Sequence, residues 1–133
     1  MSTFTPAEIE YLQGQRLGRL ATVKESGEPH VVPTSFRYNA ELDSIHIGGH
    51  NLGESKKFRD VARTGRAAFV VDDVLPPWQA SGVEVRGWAE VFSGDGEKVN
   101  SGFDAELIRL HSSRIVGWGI DTNPYRPNSR SVG

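Results

Sequence analysis

The sequence predicts a mainly β protein with short helices, its strands closing or half-closing into one antiparallel barrel. Three observations carry this: six runs have strand character, the turns between them are mostly short, and few stretches read as helix. The chain of 133 residues suits a single domain, 1–133, with one moderate core, and neither an internal repeat nor a second domain is visible.

Residues 1–15 hold the N-terminal helix. Thr5 is placed to cap it, Pro6 suits the first helical position, and Glu8 completes a capping box. Phe4 and Ile9 stand where a hydrophobic staple would place them, and the helix should fade by Gly14. Leu17 to Val23 is the first strand, and Ser26-Gly27 a turn. His30 to Tyr38 is the second, alternating Val32, Thr34, Phe36 and Tyr38 against Val31, Pro33, Ser35 and Arg37. Pro33 cannot donate to a ladder, so an open edge or a bulge is predicted there. Such a stretch is either a ligand wall or a plain edge strand. Ser44 to Gly48 is a third strand, after a turn over Asn39 to Asp43.

A helix runs from about Ser55 to Thr64, with Phe58, Val61 and Ala62 on its apolar face; Lys57 lies beside that face, and Lys56 and Arg59 point outward. Arg66 to Asp72 is a fourth strand, apolar on both faces from Ala67 to Val71, which predicts a central strand covered on both sides. Asp72-Asp73 reads as a turn or cap feature at its end. Leu75 to Gln79 is a loop with Trp78 at the tip, expected to pack on the barrel, a partner chain or a planar ligand. Gly82 to Ser93 is a long fifth strand. Val83, Val85, Gly87, Ala89 and Val91 share one face, while Glu84, Arg86, Trp88, Glu90 and Phe92 form another that suits a subunit interface or a ligand. Asp104 to His111 reads as a short helix with Leu107 and Leu110 or His111 inward, and Ile115 to Ile120 as a sixth strand carrying Trp118. Residues 121–133 form a polar arm, frayed or laid over a neighbour. A small barrel with outward aromatics is expected to dimerise.

The net charge of −2 gives no general attraction to nucleic acid or to an anionic membrane. No apolar run reaches membrane-spanning length and no signal-peptide pattern opens the chain. Absence of cysteine excludes disulfides, thiol catalysis and cysteine-ligated metals. A cytoplasmic protein is the expectation.

Against this background, Ile45 to Phe58 stands out: a short strand, a turn around Gly48 and Gly49, and a helix whose first turn carries Lys56 and Lys57. Free amides already make that end positive, so an added cation costs a few tenths to about 1 kcal/mol. A bound anion removes the conflict. A solvated helix with ordinary surface lysines is the alternative. Gly48 to Ser55 matches the glycine spacing of a P-loop, but Glu54 takes the lysine position and would repel phosphate, which rejects a nucleotide triphosphatase.

Side-chain chemistry is otherwise sparse. His46 and His50 are four apart on a strand and a glycine turn, not on a helix, and no H-E-x-x-H or G-x-S-x-G occurs, so no metal site and no catalytic residue is assigned. The dinucleotide fingerprint G-x-G-x-x-G is absent. A phosphate anchor, a planar slot and no nucleophile are what a redox-cofactor protein needs.

Gly18 to Val23 followed by Gly27 to Pro33 resembles the opening hairpin of the pyridoxamine-phosphate-oxidase-like split barrels. The Ser55–Asp60 helix, the Arg66–Asp72 strand and the Glu84–Glu90 strand continue the match, and with Ile115–Ile120 the chain is most similar to the actinobacterial branch that uses coenzyme F420. The resemblance covers roughly residues 5–120 and rests on the order and spacing of the motifs. It implies a six-stranded split β-barrel of the FMN-binding type, a homodimer, and cofactor sites at the interface. By that resemblance Arg19, Leu20, Ala21 and Thr22, with Pro33, Thr34 and Ser35, line the deazaflavin; Ile47, Gly48 and Gly49 flank it; Lys57, with Lys56, binds the phosphate. Pro77, Trp78 and Gln79 reach in from the other subunit, and Trp118 borders the pocket. The implied activity is hydride transfer from the reduced deazaflavin to an activated C=C, imine or quinone-like small molecule, and the branch includes reductases of tetracycline-type precursors. The arginines that pyridoxamine-phosphate oxidases use for FMN and pyridoxal phosphate are absent, which argues against vitamin B6 oxidation. The competing readings are an FMN-dependent oxidase or reductase, and a non-catalytic F420 or flavin carrier or haem-binding barrel with His30, His46 or His50 as axial ligand.

Overall fold

The computed structural model describes residues 2–120 and 123–133; Asp121 and Thr122 of the expected arm lie outside the described residues. Helix α1, Pro6–Gln13, opens the fold and is built as its sequence predicts. Thr5 Oγ1 accepts from the Glu8 amide at 3.1 Å, and Glu8 Oε1 accepts from the Thr5 amide at 2.9 Å. Strand β1 (Leu17–Val23) turns at Gly27 into β2 (Pro29–Asn39), and β3 (Ser44–Ile47) follows. Helix α2 (Lys56–Thr64) precedes the long hairpin of β4 (Arg66–Leu75) and β5 (Gln79–Phe92). Strands β6 (Leu107–Trp118) and β7 (Asn128–Ser131) complete the chain.

The sheet order is β3-β2-β1-β4-β5-β6-β7, all neighbours antiparallel, and a β3–β6 pairing closes the first six strands into a barrel. Leu20, Ile45, Ile47, Phe69, Val83, Val85, Ile108, Leu110 and Ile115 fill it. The Phe69 ring lies directly on Gly18, where a Cβ would fall 2.2 Å from the ring. Only glycine lets that ring occupy the interior. At Arg86/Gly87 the β5–β6 register shifts, and a Cβ on Gly87 would overlap the His111 carbonyl, so the bulge also depends on glycine.

Several expectations need correction. The stretch 104–111 is not a helix; β6 already begins at Leu107. Leu107 and Leu110 are both buried as expected, but so is Ile108 between them, with Ile108 and Leu110 in the barrel core at a period of two, and both β3 and β5 offer ladder partners. His111 faces outward and stacks on Trp88 at 4.0 Å. Strand β4 is not covered on both faces within the chain: Phe69 and Val71 are buried, while Ala67, Ala68 and Val70 are only half-buried. Asp72 and Asp73 lie inside β4, where Arg19 pairs with Asp72 at 2.8 Å and Tyr11 Oη donates to Asp73 at 2.5 Å. On α2, Ala62 is exposed and Asp60 takes an inward position. The C-terminal arm forms a seventh strand on its own chain, where Arg130 meets the buried Glu8. Pro33 does sit on an open edge, because β3 pairs with β2 only from Phe36 onward. Among the described residues, no helix is long and apolar enough to cross a membrane.

One buried base sets a pH response of the fold. His46 is 7% exposed, and burial followed by the Arg109 charge lowers its pKa to about 4. An unfolded chain holds that proton more tightly, at an ordinary value near 6.5. Stability is therefore complete above pH 6.5 and falls as pH drops towards 4, by about 2 kcal/mol at pH 5. Urea midpoints at pH 7 and pH 5 should move apart for the native chain and much less for His46→Gln. Equal movement in both would show that His46 carries none of the effect.

Candidate functional site

Helix α2 places the expected anion site. Ser55 caps it, accepting from the Phe58 amide at 3.3 Å while donating to the Leu52 carbonyl at 2.6 Å. The first-turn amides of Lys56 and Lys57 have no intrahelical acceptor. The two lysines then differ. Lys56 Nζ is held by Asp60 at 2.9 Å, and Asp60 also accepts from the Thr22 hydroxyl at 2.9 Å. Burial acts to raise the Asp60 pKa, but those two hydrogen bonds outweigh it and hold the carboxyl below its ordinary range. Lys56 is thus already neutralised. Lys57 has no hydrogen-bond or ion-pair partner among the described residues, it is half-buried, and desolvation pushes its pKa down.

Asp60 was missed by sequence reasoning. Its i,i+4 spacing from Lys56 was visible, but its burial and its bond to β1 were not. The sequence offers His30 only as an axial haem ligand. It lies opposite Thr22 in the β1–β2 ladder, and its Nδ1 is buried without a partner. An unpartnered buried polar atom costs about 1–3 kcal/mol. A half-buried unpaired ammonium and the free amides of the helix's first turn are donors without an acceptor among the described residues. The residues present fit a phosphate.

The flanking residues run out from this point along two strands. Ala21 and Thr22 face Val31 and His30, Arg19 faces Pro33, Gly18 faces Thr34 and Leu17 faces Ser35. Side chains of Leu20 and Ile47 are fully buried in the barrel, so only their backbones are available to a ligand. Thr34 is buried as well, and its hydroxyl donates to the Ser35 carbonyl at 3.3 Å. Gly48 is packed under Phe103, Val99 and the Gly96 carbonyl, whereas the space beside Gly49 is open. Arg19 is engaged by Asp72. A concavity of about 300 Å³ opens over Ala21, Thr22, Pro29, Ala67, Ala68 and Arg86. Beside the helix start, a cleft of about 460 Å³ is lined by Lys24, Glu25, Ser26, Lys56, Arg59, Asp60 and Arg63.

Pro77, Trp78 and Gln79 are not brought to this place within one chain. They form the far end of the β4–β5 hairpin, ten residues along β4 from Arg66, or about 30 Å at the rise of a strand. Trp78 is 67% exposed there, so its own chain covers only about a third of it. Trp118 faces Gly82 near the same end, its ring filling the space where a Cβ would stand.

A family profile described as pyridoxamine 5′-phosphate oxidase matches residues 4–132. A 5a,11a-dehydrotetracycline/5a,11a-dehydrooxytetracycline reductase from Streptomyces rimosus is 46% identical over 120 residues, 89% of this chain and 84% of the relative. A heme binding protein from Mycobacterium smegmatis superposes with a TM-score of 0.68 at 16% identity, covering 98% of this chain and 60% of that structure. The chain thus spans about three fifths of that protein's length. An FAD binding protein from the same organism gives a TM-score of 0.65 at 17% identity over 98% of this chain and all of that one. At such identities the two structures share the barrel and leave the ligand open.

Proposed function

The chain belongs to the pyridoxamine 5′-phosphate oxidase family, and on that premise we propose that it is an oxidoreductase, specifically a coenzyme F420-dependent reductase of a polycyclic or quinone-like small molecule. The observation that carries this reading is the 46% identity to a dehydrotetracycline reductase across nearly the whole of both chains. The bound reduced deazaflavin would supply a hydride to an activated C=C, imine or quinone-like carbon.

In this reading Lys57 takes the cofactor phosphate, and the amides of the first turn of α2 point at the same charge. Lys56 serves indirectly, by holding Asp60 and through it Thr22 on β1. The open edge at Pro33–Ser35, the backbones of Arg19–Thr22 and the turn Ile47–Gly49 form the wall for the ring. Lys24, Arg59 and Arg63 line the adjacent cleft and suit the acidic oligoglutamate tail that distinguishes F420 from FMN. Pro77, Trp78, Gln79 and Trp118 join the site only through a second copy, so the proposal includes a homodimer. Trp78 and the half-covered outer face of β4 are the apolar surfaces such a dimer would bury.

Tryptophan fluorescence tests this directly. Purified protein titrated separately with F420, FMN and haem should show saturable quenching strongest with F420, as Trp78 and Trp118 come under the ring. Tight FMN binding without any response to F420 would make the chain an FMN-dependent enzyme instead, and a haem-only response would make it a haem binder.

A further inference from the structure

The barrel exterior carries a second group of cations that the cofactor reading does not use. Arg37 on β2, His46 on β3 and Arg109 on β6 stand directly opposite one another across three adjacent strands. Like charges in such a row repel. The fold relieves part of this by keeping His46 neutral. Arg109 Nε donates to His46 Nε2 at 3.2 Å, and because a guanidinium N–H can only donate, that ring nitrogen carries no proton. The imidazole proton therefore sits on Nδ1. Among the described residues Nδ1 has no protein partner, yet it is not among the buried unsatisfied atoms, so it reaches open space.

The two guanidiniums remain uncompensated. Neither has a carboxylate within ion-pair distance among the described residues. Arg37 donates to the Lys98 carbonyl at 2.9 Å, and Arg109 lies over the Phe92 ring at 4.2 Å. Two of the nearby acids are otherwise engaged: Asp95 pairs with Lys98 at 3.3 Å, and Glu90, opposite Arg109, pairs with His111 at 2.8 Å. Arg37, His46, Lys98 and Arg109 share a cavity of about 640 Å³ with Asp95 and Glu41, a size typical of small-molecule sites. None of these residues lines the cleft at α2.

We propose that this cavity is a second ligand site, and that it takes a small molecule through an oxyanion, phosphate or carboxylate, held between Arg37 and Arg109 with the His46 Nδ1–H as a third donor. Charge-assisted donors from three strands converge there, and an anion would turn a repelling row into a bridged one. The proposal stands independently of which cofactor α2 binds.

The test uses the full chain carrying Lys57→Ala, so that anions at α2 do not contribute, labelled with ¹⁵N. Sodium phosphate and sodium acetate are titrated separately at constant ionic strength. The His46 ring, the Arg109 Nε–H and the amides of 95–99 should shift saturably with at least one anion. The more effective anion identifies the group as phosphoryl or carboxyl. Adding Arg37→Gln, an exposed position whose change should leave the remaining spectrum in place, should raise the apparent dissociation constant about tenfold, the lower end for a charge-assisted hydrogen bond. Linear shifts with both anions, or saturable shifts indifferent to Arg37→Gln, would overturn the proposal.

Discussion

Replacing Glu8 with alanine is expected to destabilise the fold by about 3 kcal/mol, which for a chain of this size lowers Tm by roughly 10 °C. Glu8 is 2% exposed and its two oxygens serve three donors. Oε1 accepts from the Thr5 amide at 2.9 Å and from Arg130 Nη2 at 2.5 Å, and Oε2 accepts from Arg130 Nη1 at 3.1 Å. Removal strips one half of the capping box and leaves a guanidinium, itself only 24% exposed, with the Thr3 carbonyl alone. Losing one member of a fully buried pair costs about 3–5 kcal/mol, and the partial exposure of Arg130 places this case at the low end. The companion variant is informative. Glu8→Leu with Arg130→Met removes both charges and should recover much of the loss, because well-packed apolar replacements of an ion pair are often neutral. Urea unfolding decides it: if Glu8→Ala leaves the midpoint unchanged, the pair does not fasten β7 to α1.

That pair also marks the limit of what the sequence shows. The capping box at Thr5 and Glu8 is local and could be read, as could the strands from Leu17 to Ile47, where alternation and turn residues agree. The partner of Glu8 lies 122 residues away, in an arm with no apolar pattern. Nothing in Asn128–Ser131 signals a strand; its pairing exists because β6 offers an edge and Glu8 needs a cation. The start of β6 was lost to a competing period. Asp104 to Glu106 looks like a helix opening and Leu107 and Leu110 continue the spacing, but the barrel required closure between β3 and β5 and took Leu107 onward as strand.

The candidate site divides in the same way. The proposed anion end could be suggested from sequence because electrostatics at a helix terminus are local: two lysines on a capped first turn conflict with the dipole whatever the rest of the fold does. Which lysine is available was not legible. That depends on Asp60, whose burial requires Thr22 on β1 to lie beside it. Trp78 and Trp118 lie near the far end of the β4–β5 hairpin, away from the start of α2, and only the proposed homodimer would bring them to the site. Periodicity within one chain cannot place residues that a proposed partner copy would contribute.

Lys57→Ala is therefore expected to separate the two lysines by function. Its ammonium is half-buried and, among the described residues, unpaired, so a phosphate would gain a charge-assisted hydrogen bond without displacing any other partner. Loss of that bond should weaken F420 binding by about 1.5–3 kcal/mol, roughly ten- to 150-fold in dissociation constant, with little change in thermal stability. Lys56→Ala should behave in the opposite sense, because it leaves Asp60, 4% exposed, without its counterion and so costs stability before affinity. The pH dependence supplies a separate readout. Desolvation lowers the pKa of Lys57 in the free protein, and a bound phosphate would raise it again. Binding then takes up a proton once pH exceeds the free-state value, so affinity should fall as the solution is made alkaline, and that fall should vanish in Lys57→Ala. Equal affinities of native protein and Lys57→Ala across the pH range would make the helix lysines surface residues and return the cofactor phosphate to some other part of the barrel.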